Sequence, residues 1–543
     1  MLRKLFANAP GNRAIFLAIL LLPSVIAAAA QIMDPFTFST ASLAYVDLKQ
    51  GRVVVSPFLP IDDWRSHADG ISARAAPSLM LATLSEVTLV PIETLIHLPI
   101  AGVAFALLAY AFAFTVTRSR TIALFYSLIQ AWDAHVITAT NNLFYIPLGF
   151  VIMLLFMTFY VKGLNSSKTS LRLMPLLVLP TLVLSYYASE FLGIGFVFLV
   201  YLCGAVAARR GTLRGPSLYL PLALAISASL FEIVLLAHWA SVFSISKALD
   251  ILGGYLHYLF GLSIRAAGEL QQYAAGATTT PVMYISDLIY RGLLVLCVLA
   301  YLPRVLASFL RAQNPDSRQW QIRQQTNIVF LALILLVPAH ILVYAFAGFL
   351  NLRAVYMFLP LLALLSLRDV TQRLSARAIL RRLPTICGVF LILLVAVGFV
   401  GFLTIPSHPY AVGQYYETAP SIRFLADHSP SGQISKAVSN LEISGQLMFQ
   451  TTTAGKPTML TYWFGADSFI LYSPDPNVVA QTLRDRQYGF LLLWRGFETR
   501  PVDTDGWQWT PAAVNSTRVM STSPALNLIY QDSNVLIVCS NNN

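Results

Sequence analysis

Residues 385–405 read TICGVFLILLVAVGFVGFLTI, a run without a charged side chain that begins shortly after Arg381 and Arg382. In a helix with a rise of about 1.5 Å per residue, about 20 apolar residues cross the hydrocarbon core of a bilayer. The run therefore predicts a membrane-spanning helix. Similar runs predict eleven spans in all, at 14–31, 92–117, 120–138, 144–162, 173–188, 190–208, 217–240, 287–310, 326–349, 353–367 and 385–405.

The composition of the whole chain supports the same interpretation. Of its 543 residues, 57% are apolar and only 11% are charged, whereas a soluble protein carries roughly 25% charged residues. A soluble enzyme is therefore excluded, and an aromatic content of 12% excludes a disordered chain. With a mean hydropathy of +0.66, the chain is predicted to be an α-helical, multi-pass protein of the cell membrane, with the lipid bilayer as its main solvent.

The net charge of +11 reflects the orientation of these spans. Lys and Arg concentrate in short segments on one side of the predicted membrane, as at Arg209, Arg210 and Arg214. Cytoplasmic segments carry this excess, so the N-terminus is predicted inside and, with an odd number of spans, the C-terminus outside. No nucleic-acid partner is needed to explain the charge. The run 14–31 also resembles a signal peptide, and its cleavage would not change this orientation.

The remaining segments divide the chain into two predicted domains. Residues 1–405 form the transmembrane domain, which includes a first exterior loop at 32–91 with an interfacial helix, and a second at 241–286 that is a mobile lid or dips into the membrane. Residues 406–543 are more polar and form a small exterior α/β domain. Its predicted strands are 469–472, 488–494 and 535–538, and its predicted helix covers 478–486.

Ionisable residues at a membrane boundary are functional candidates, because placing them there is costly. Asp34 directly follows the first span, where a carboxylate can act as a general base or bind a cation beside a lipid-borne substrate. The alternative is a carboxylate that only ends the span or caps the next turn. Asp62 and Asp63 have metal-compatible side chains but no diagnostic spacing, and a solvated loop explains them better than a metal site.

Further candidates lie at the outer ends of later spans. Asp133 and His135 can share a cation if they lie on an irregular loop, but a continuous helix would turn them apart by about 200°. Glu190 opens a span, where the helix dipole alone favours a carboxylate. Glu232, in the outer part of another span, pairs with His238 or lines a cavity.

Arg353 is the single charged residue between the ninth and tenth predicted spans, and it lies on the outer side, against the charge bias. An arginine at the N-terminus of a helix can bind a phosphate through two parallel hydrogen bonds, assisted by free backbone N–H groups. The alternative is a side chain that extends from the apolar surface into the interface.

Several short motifs resemble the C-type (GT-C) membrane glycosyltransferases, with a distant likeness to the catalytic subunit of oligosaccharyltransferase. Met33-Asp34-Pro35-Phe36 resembles the start of their first exterior loop, residues 77–91 their interfacial helix, and Arg353-Ala354-Val355-Tyr356 with Pro360 a late helix. Residues 422–430, and residues 528–530 with 535–537, resemble the first helix and last strand pair of their exterior domains. The acceptor-binding Trp-Trp-Asp-Tyr-Gly run is missing, and Asn141-Asn142 stand where a second acidic motif is expected.

The resemblance implies transfer of a sugar or glycan from a polyprenyl-(di)phosphate donor to a protein, lipid or glycan acceptor on the outer membrane face. Asp34, Asp133 and His135 would be catalytic and would bind a divalent cation, Mg²⁺ or Mn²⁺, while Arg353 would bind the lipid phosphate. Two other functions stay open. A transporter or flippase of lipid-linked intermediates would show inverted repeats, and a catalytically inactive scaffold would explain Asn141-Asn142.

Overall fold

The computed structural model describes two compact units, whose boundary in the C-terminal part of the chain lies between Thr404 and Ile405. The following residues are described: 17–26, single positions between 80 and 99, 100–133, 136–137, 145–183 and 185–209 with a few gaps, 219–231, 281–310, 318–346, 353–373, 383–403, 420–428 with gaps, 436–438, 459–460, 475–485, 489–494, 502–504, 507–509 and 520–541.

In the described part of the first unit, a helix coincides with each of the eleven predicted spans. The helices are α1 (Leu17–Ile26), α2 (Ile100–Thr117), α3 (Arg120–Trp132), α4 (Tyr145–Leu164), α5 (Thr169–Val183), α6 (Tyr187–Arg209), α7 (Tyr219–Phe231), α8 (Pro281–Leu310), α9 (Arg318–Phe346), α10 (Arg353–Arg373) and α11 (Leu383–Leu403).

Length and apolarity differ among these helices. Of those described, three are long and apolar enough on their own to cross a membrane, namely Ile100–Thr117, Ser189–Arg209 and Leu288–Ala307. In several of the other helices the apolar stretch is shorter than the helix itself, as at Leu148–Leu164, Gln324–His340 and Thr385–Gly401. The helical nature of the predicted runs is thus confirmed, while the number of crossings and their orientation stay predictions.

Helix α10 lies at the centre of the bundle. It packs against α3, α8, α9 and α11, and the residues from Met357 to Ser366 are buried in succession. A helix that is apolar on all sides can be surrounded by lipid or by other helices, and the continuous burial of these residues shows that other helices surround it here. The sequence predicted a short span at 353–367, whereas the helix continues to Arg373.

Helices α3 and α10 run antiparallel, as hydrogen bonds at both of their ends show. Close to the start of α3, the Nη1 of Arg368 donates to the carbonyl of Thr117 over 2.9 Å. Close to the end of α3, Gln130 donates to the carbonyl of Tyr356 near the start of α10. Arg368 thereby places a positive charge on the last carbonyls of α2, which have no helical donor.

Helix α11 approaches both α3 and α8 closely through two glycines. A Cβ added at Gly388 would lie 2.9 Å from the ring of Phe125, and one added at Gly398 would lie 3.2 Å from the hydroxyl of Ser286. Trp132 at the end of α3 packs edge-on against Phe399, with ring centroids 5.6 Å apart. α11 therefore runs parallel to α3 and antiparallel to α8.

The second unit contains seven described strands: β1 (Lys436–Val438), β2 (Met459–Leu460), β3 (Phe490–Trp494), β4 (Val502–Thr504), β5 (Trp507–Trp509), β6 (Leu526–Gln531) and β7 (Val535–Ser540). Five of them form a sheet of order β2-β1-β3-β7-β6, and β4 pairs with β5 separately. Helix α12 (Pro476–Asp485) packs against β7 and β6.

The core of this unit joins one face of α12 to the sheet, through Val479, Leu483, Leu491, Leu536 and Val538. The predicted helix at 478–486 and the predicted strands at 488–494 and 535–538 are confirmed. The predicted strand at 469–472 lies outside the described residues.

Candidate functional site

Five of the predicted site residues lie outside the described residues, namely Asp34, Asp62, Asp63, His135 and Glu232. Asp133, Glu190 and Arg353 lie within the described part of the chain, although only the backbone of Arg353 is described. The described part of the candidate site therefore consists of the helices that carry these three residues.

Asp133 ends α3 and begins the next helical turn. Its backbone is extended, with φ −74° and ψ 116°, and its N–H donates to the carbonyl of Ile129. Its own carbonyl accepts from Ile137 over 2.9 Å, and its Oδ1 accepts from the N–H of Val136 over 3.4 Å. The side chain thus caps the following turn and is only 3% exposed. The predicted span 120–138 is interrupted here, because the capping carboxylate stabilises a break in the helix.

The start of α10 is shaped by Pro360. A proline has no backbone N–H, so the carbonyl four residues earlier, that of Tyr356, has no donor within the helix. Gln130 of α3 replaces the missing donor, because its Nε2 donates to this carbonyl over 3.0 Å. One residue further on, the hydroxyl of Tyr126 donates to the carbonyl of Met357 over 2.6 Å. Both side chains are fully buried, so α3 holds α10 at its proline.

Arg291 of α8 lies against the same turn of α10. The central carbon of its guanidinium is 4.3 Å from the centroid of the Tyr356 ring, a distance at which the ring face attracts the cation. Arg291 is half-buried. Tyr356 therefore joins α10 to two neighbours: its carbonyl bonds to α3 and its ring contacts α8.

Asp133 and Arg353 both lie beyond this junction, at the end of the bundle that is predicted to face outward. Asp133 follows Gln130 by three residues on α3, and Arg353 precedes Tyr356 by three residues on α10. Each is therefore about 4.5 Å further along its helix axis than the hydrogen bond between Gln130 and Tyr356. The antiparallel helices bring a buried carboxylate and the start of the arginine-bearing helix to one end of the bundle.

Glu190 lies in the first turn of α6 and is 7% exposed. The next residue, Phe191, is near His340 of α9, with ring centroids 6.2 Å apart. Helices α6 and α9 pack together, and Phe191 and the buried imidazole of His340 lie at their interface. Described contacts do not connect Glu190 with Tyr356 or Asp133.

Sequence reasoning missed the roles of Gln130 and Arg291. Pro360 gave a usable signal, because a proline inside an apolar run always leaves the carbonyl four residues earlier without its helical donor. The identity of the replacement donor depends on which helix packs there, and no local pattern specifies it.

The proposed cation depends largely on residues outside the described part of the chain. Among the described residues, no three His, Cys, Asp or Glu side chains form a group that could hold a metal ion. Asp133 is the one described member of the predicted set, and one of its oxygens already accepts a backbone hydrogen bond. The divalent cation therefore stays a prediction.

No protein-family model matches this chain, and no curated protein sequence matches it. Among solved structures, it is similar to the apo form of the oligosaccharyltransferase from Archaeoglobus fulgidus, with a TM-score of 0.51 and 11% identity over 89% of this chain and 70% of that chain. It is also similar to ArnT from Cupriavidus metallidurans bound to undecaprenyl phosphate, with a TM-score of 0.42 and 13% identity over 98% of each chain.

The likeness to the oligosaccharyltransferase concerns the fold. The predicted resemblance to an oligosaccharyltransferase is thus confirmed for the fold. Together with the apolar helices, it identifies the chain as a membrane protein.

Proposed function

We propose that this protein is a membrane glycosyltransferase that transfers a sugar or glycan from a polyprenyl-(di)phosphate lipid to an acceptor on the outer membrane face. One observation carries the proposal. The buried carboxylate of Asp133 and the start of α10, which bears Arg353, both lie one turn beyond the hydrogen bond between Gln130 and Tyr356. A carboxylate and an arginine at one end of an apolar bundle suit chemistry on a lipid phosphate.

The proposed reaction is a direct displacement that inverts the anomeric carbon. The acceptor heteroatom attacks this carbon and loses its proton to a carboxylate, for which Asp34 is the first candidate and Asp133 the second. The bond between the anomeric carbon and the phosphate oxygen breaks, and the polyprenyl (di)phosphate leaves with the negative charge. Arg353 stabilises that charge as it develops. His135 and a divalent cation would assist at the same end. The predicted exterior loop 241–286 ends earlier than expected, because α8 already begins at Pro281, and its remaining part would close over the donor.

Transfer in proteoliposomes tests this proposal. The full-length protein is reconstituted with a polyprenyl-phosphate-linked sugar, and transfer is compared among wild type, Asp34→Asn, Asp133→Asn and Arg353→Ala. We expect Arg353→Ala and at least one Asp variant to lose about a hundredfold or more in rate, as expected for a general base or for charge stabilisation. Arg368→Ala is the matched control, because Arg368 lies on the same helix at the opposite end.

Unaltered transfer in all three variants would remove these residues from the mechanism. Movement of the intact lipid-linked sugar across the bilayer without bond cleavage would instead favour the transporter. A chain that neither transfers nor moves the donor would favour the scaffold.

A further inference from the structure

Helix α8 exposes an apolar stripe along most of its length. The exposed side chains are related by spacings of three, four or seven residues, which places them on one face of a helix. They are Ile285, Leu288, Ile289, Val295, Leu296, Leu299 and Leu306. From Ile285 to Leu306 the stripe covers about 32 Å at 1.5 Å per residue, close to the thickness of the hydrocarbon core.

Gly292 lies in the middle of this stripe and leaves a shallow furrow. It follows Leu288 by four residues and precedes Leu296 by four, so it shares their face. A Cβ added at Gly292 would meet nothing within 4 Å. A glycine is therefore not required here by packing within the described residues, and the furrow can accept an apolar chain.

Arg291 lies at the edge of the same stripe. It follows Leu288 by three residues and precedes Val295 by four, and side chains at these spacings are neighbours on a helix surface. A cationic side chain within an apolar, membrane-spanning helix is costly and usually belongs to a ligand site or to an internal ion pair. Arg291 is half-buried, with one face of its guanidinium against the Tyr356 ring.

Stacking determines how this guanidinium can bind a ligand. The five N–H donors of arginine lie in the guanidinium plane, so a ring against its face does not consume them. In-plane donors match the paired oxygens of a phosphate. Gln130 binds the backbone carbonyl of Tyr356, which fixes the point on α10 from which the ring reaches Arg291.

We propose that Arg291 binds the phosphate of an isoprenoid-phosphate lipid, whose chain lies along the exposed stripe of α8 and over Gly292. This inference rests on the proposed glycosyltransferase function, and it adds a second phosphate-binding arginine and a path for the lipid chain. Tyr356 is a positioning residue, since its ring orients Arg291. An arginine beside an apolar furrow matches a ligand with an anionic head and a long hydrocarbon tail.

Lipid binding is measured by native mass spectrometry of the full-length protein, released from phosphatidylcholine nanodiscs that contain decaprenyl phosphate or decaprenol. We expect wild type to retain the phosphate and not the alcohol. Arg291→Lys should weaken retention about tenfold, because the ammonium cannot form the paired, stacked arrangement, and Arg291→Ala should weaken it further. Arg304→Ala, on the same helix, is the matched control. Equal retention by wild type and Arg291→Ala would overturn the proposal.

Variants at two further positions, Tyr356 and Gly292, keep the test decisive if Arg291→Ala fails to fold. Tyr356→Leu removes the aromatic face and should weaken binding, whereas Tyr356→Phe keeps it and should retain most of the affinity. Gly292→Leu fills the furrow and should weaken binding of decaprenyl phosphate more than of geranyl phosphate. Leu202→Phe, which adds bulk to an exposed position on α6, should not. Identical behaviour of the two Tyr356 variants, or of both chain lengths in Gly292→Leu, would contradict the proposal.

Two controls identify the ligand. Competition by inorganic phosphate, or equal retention of phosphatidylglycerol, would overturn the assignment to an isoprenoid lipid. Wild type that binds decaprenyl phosphate but transfers no sugar would refute the proposed function and leave the role of Arg291 intact. Normal binding and transfer by Arg291→Ala would refute this inference alone.

Discussion

The hydrogen bond from Gln130 to the Tyr356 carbonyl should be energetically coupled to Pro360. Gln130→Leu keeps the volume of the side chain but removes the donor. Hydrogen bonds between membrane helices average about 0.6 kcal/mol, but a buried acceptor left without any donor costs about 1–3 kcal/mol. Pro360 supplies no N–H to this carbonyl, so the loss of Gln130 should cost more than an average hydrogen bond between membrane helices. We expect Gln130→Leu to lower the free energy of unfolding by about 2 kcal/mol.

Pro360→Ala changes that cost, because alanine restores the helical N–H to the Tyr356 carbonyl. In the Pro360→Ala background, Gln130→Leu should cost only about 0.6 kcal/mol, which gives a coupling energy of roughly 1.4 kcal/mol. The assay is a double-mutant cycle of unfolding in mixed micelles, with SDS as denaturant.

Ser127→Ala is the matched control for this cycle. Ser127 donates from the same helix to the carbonyl of Ala106 over 2.9 Å, and this carbonyl has its own helical donor at Tyr110. Its cost should therefore be the same in both backgrounds. If the cost of Gln130→Leu is also the same with and without Pro360, the proposed replacement of the proline's missing donor is wrong.

Three further predictions concern packing and pH. Gly163→Ala should lower the unfolding midpoint, because the added Cβ would lie 3.0 Å from the carbonyl oxygen of Leu171. Gly292→Ala should leave the midpoint unchanged, because its Cβ would meet nothing within 4 Å. Equal shifts in the two variants would contradict the close contact at Gly163. Cys297 follows Ser286 on α8 by eleven residues, and Cys387 precedes Gly398 on α11 by eleven residues. Because Ser286 and Gly398 are in contact and the two helices are antiparallel, both thiols lie about three turns from that contact and at the same level. A short bifunctional thiol reagent should therefore link them. Two separately labelled thiols on mass spectrometry would refute this register. Partial burial and a hydrogen bond to Asp532 raise the pKa of Tyr530 in the folded protein, so the stability that its neutral hydroxyl contributes is lost as the pH rises above about 10. Tyr530→Phe should therefore reduce the alkaline loss of stability in a pH series of unfolding midpoints. An unchanged loss in this variant would contradict the prediction.

Much of the helical architecture could be predicted from local sequence. Apolar runs such as 385–405 must form helices in lipid, since every backbone group needs a partner within the segment. The core strands β3 and β7 could also be predicted, because each is an apolar run. The length of α10 was underestimated, because Arg368 and Arg373 lower the apolarity of its last turns, and the hydrogen bond from Arg368 to Thr117 that accommodates one of these charges is a tertiary contact.

The candidate site was only partly predictable. Asp133 was identified as an ionisable residue at a span end, but its capping of the turn at Val136 depends on where α3 stops. Arg291 and Tyr356 are 65 positions apart in the chain, and no periodicity connects residues on different helices. Their contact follows from the packing of α8 on α10.

An experimental structure with a non-hydrolysable analogue of a polyprenyl-phosphate sugar would test the sugar-transfer proposal most directly. We predict that the phosphate lies within hydrogen-bonding distance of the Arg353 guanidinium, at the end of the bundle that holds Asp133, and that the anomeric carbon faces a carboxylate. A phosphate bound at the opposite end, beside Arg368 and Thr117, or an anomeric carbon with no carboxylate near it, would contradict the proposal.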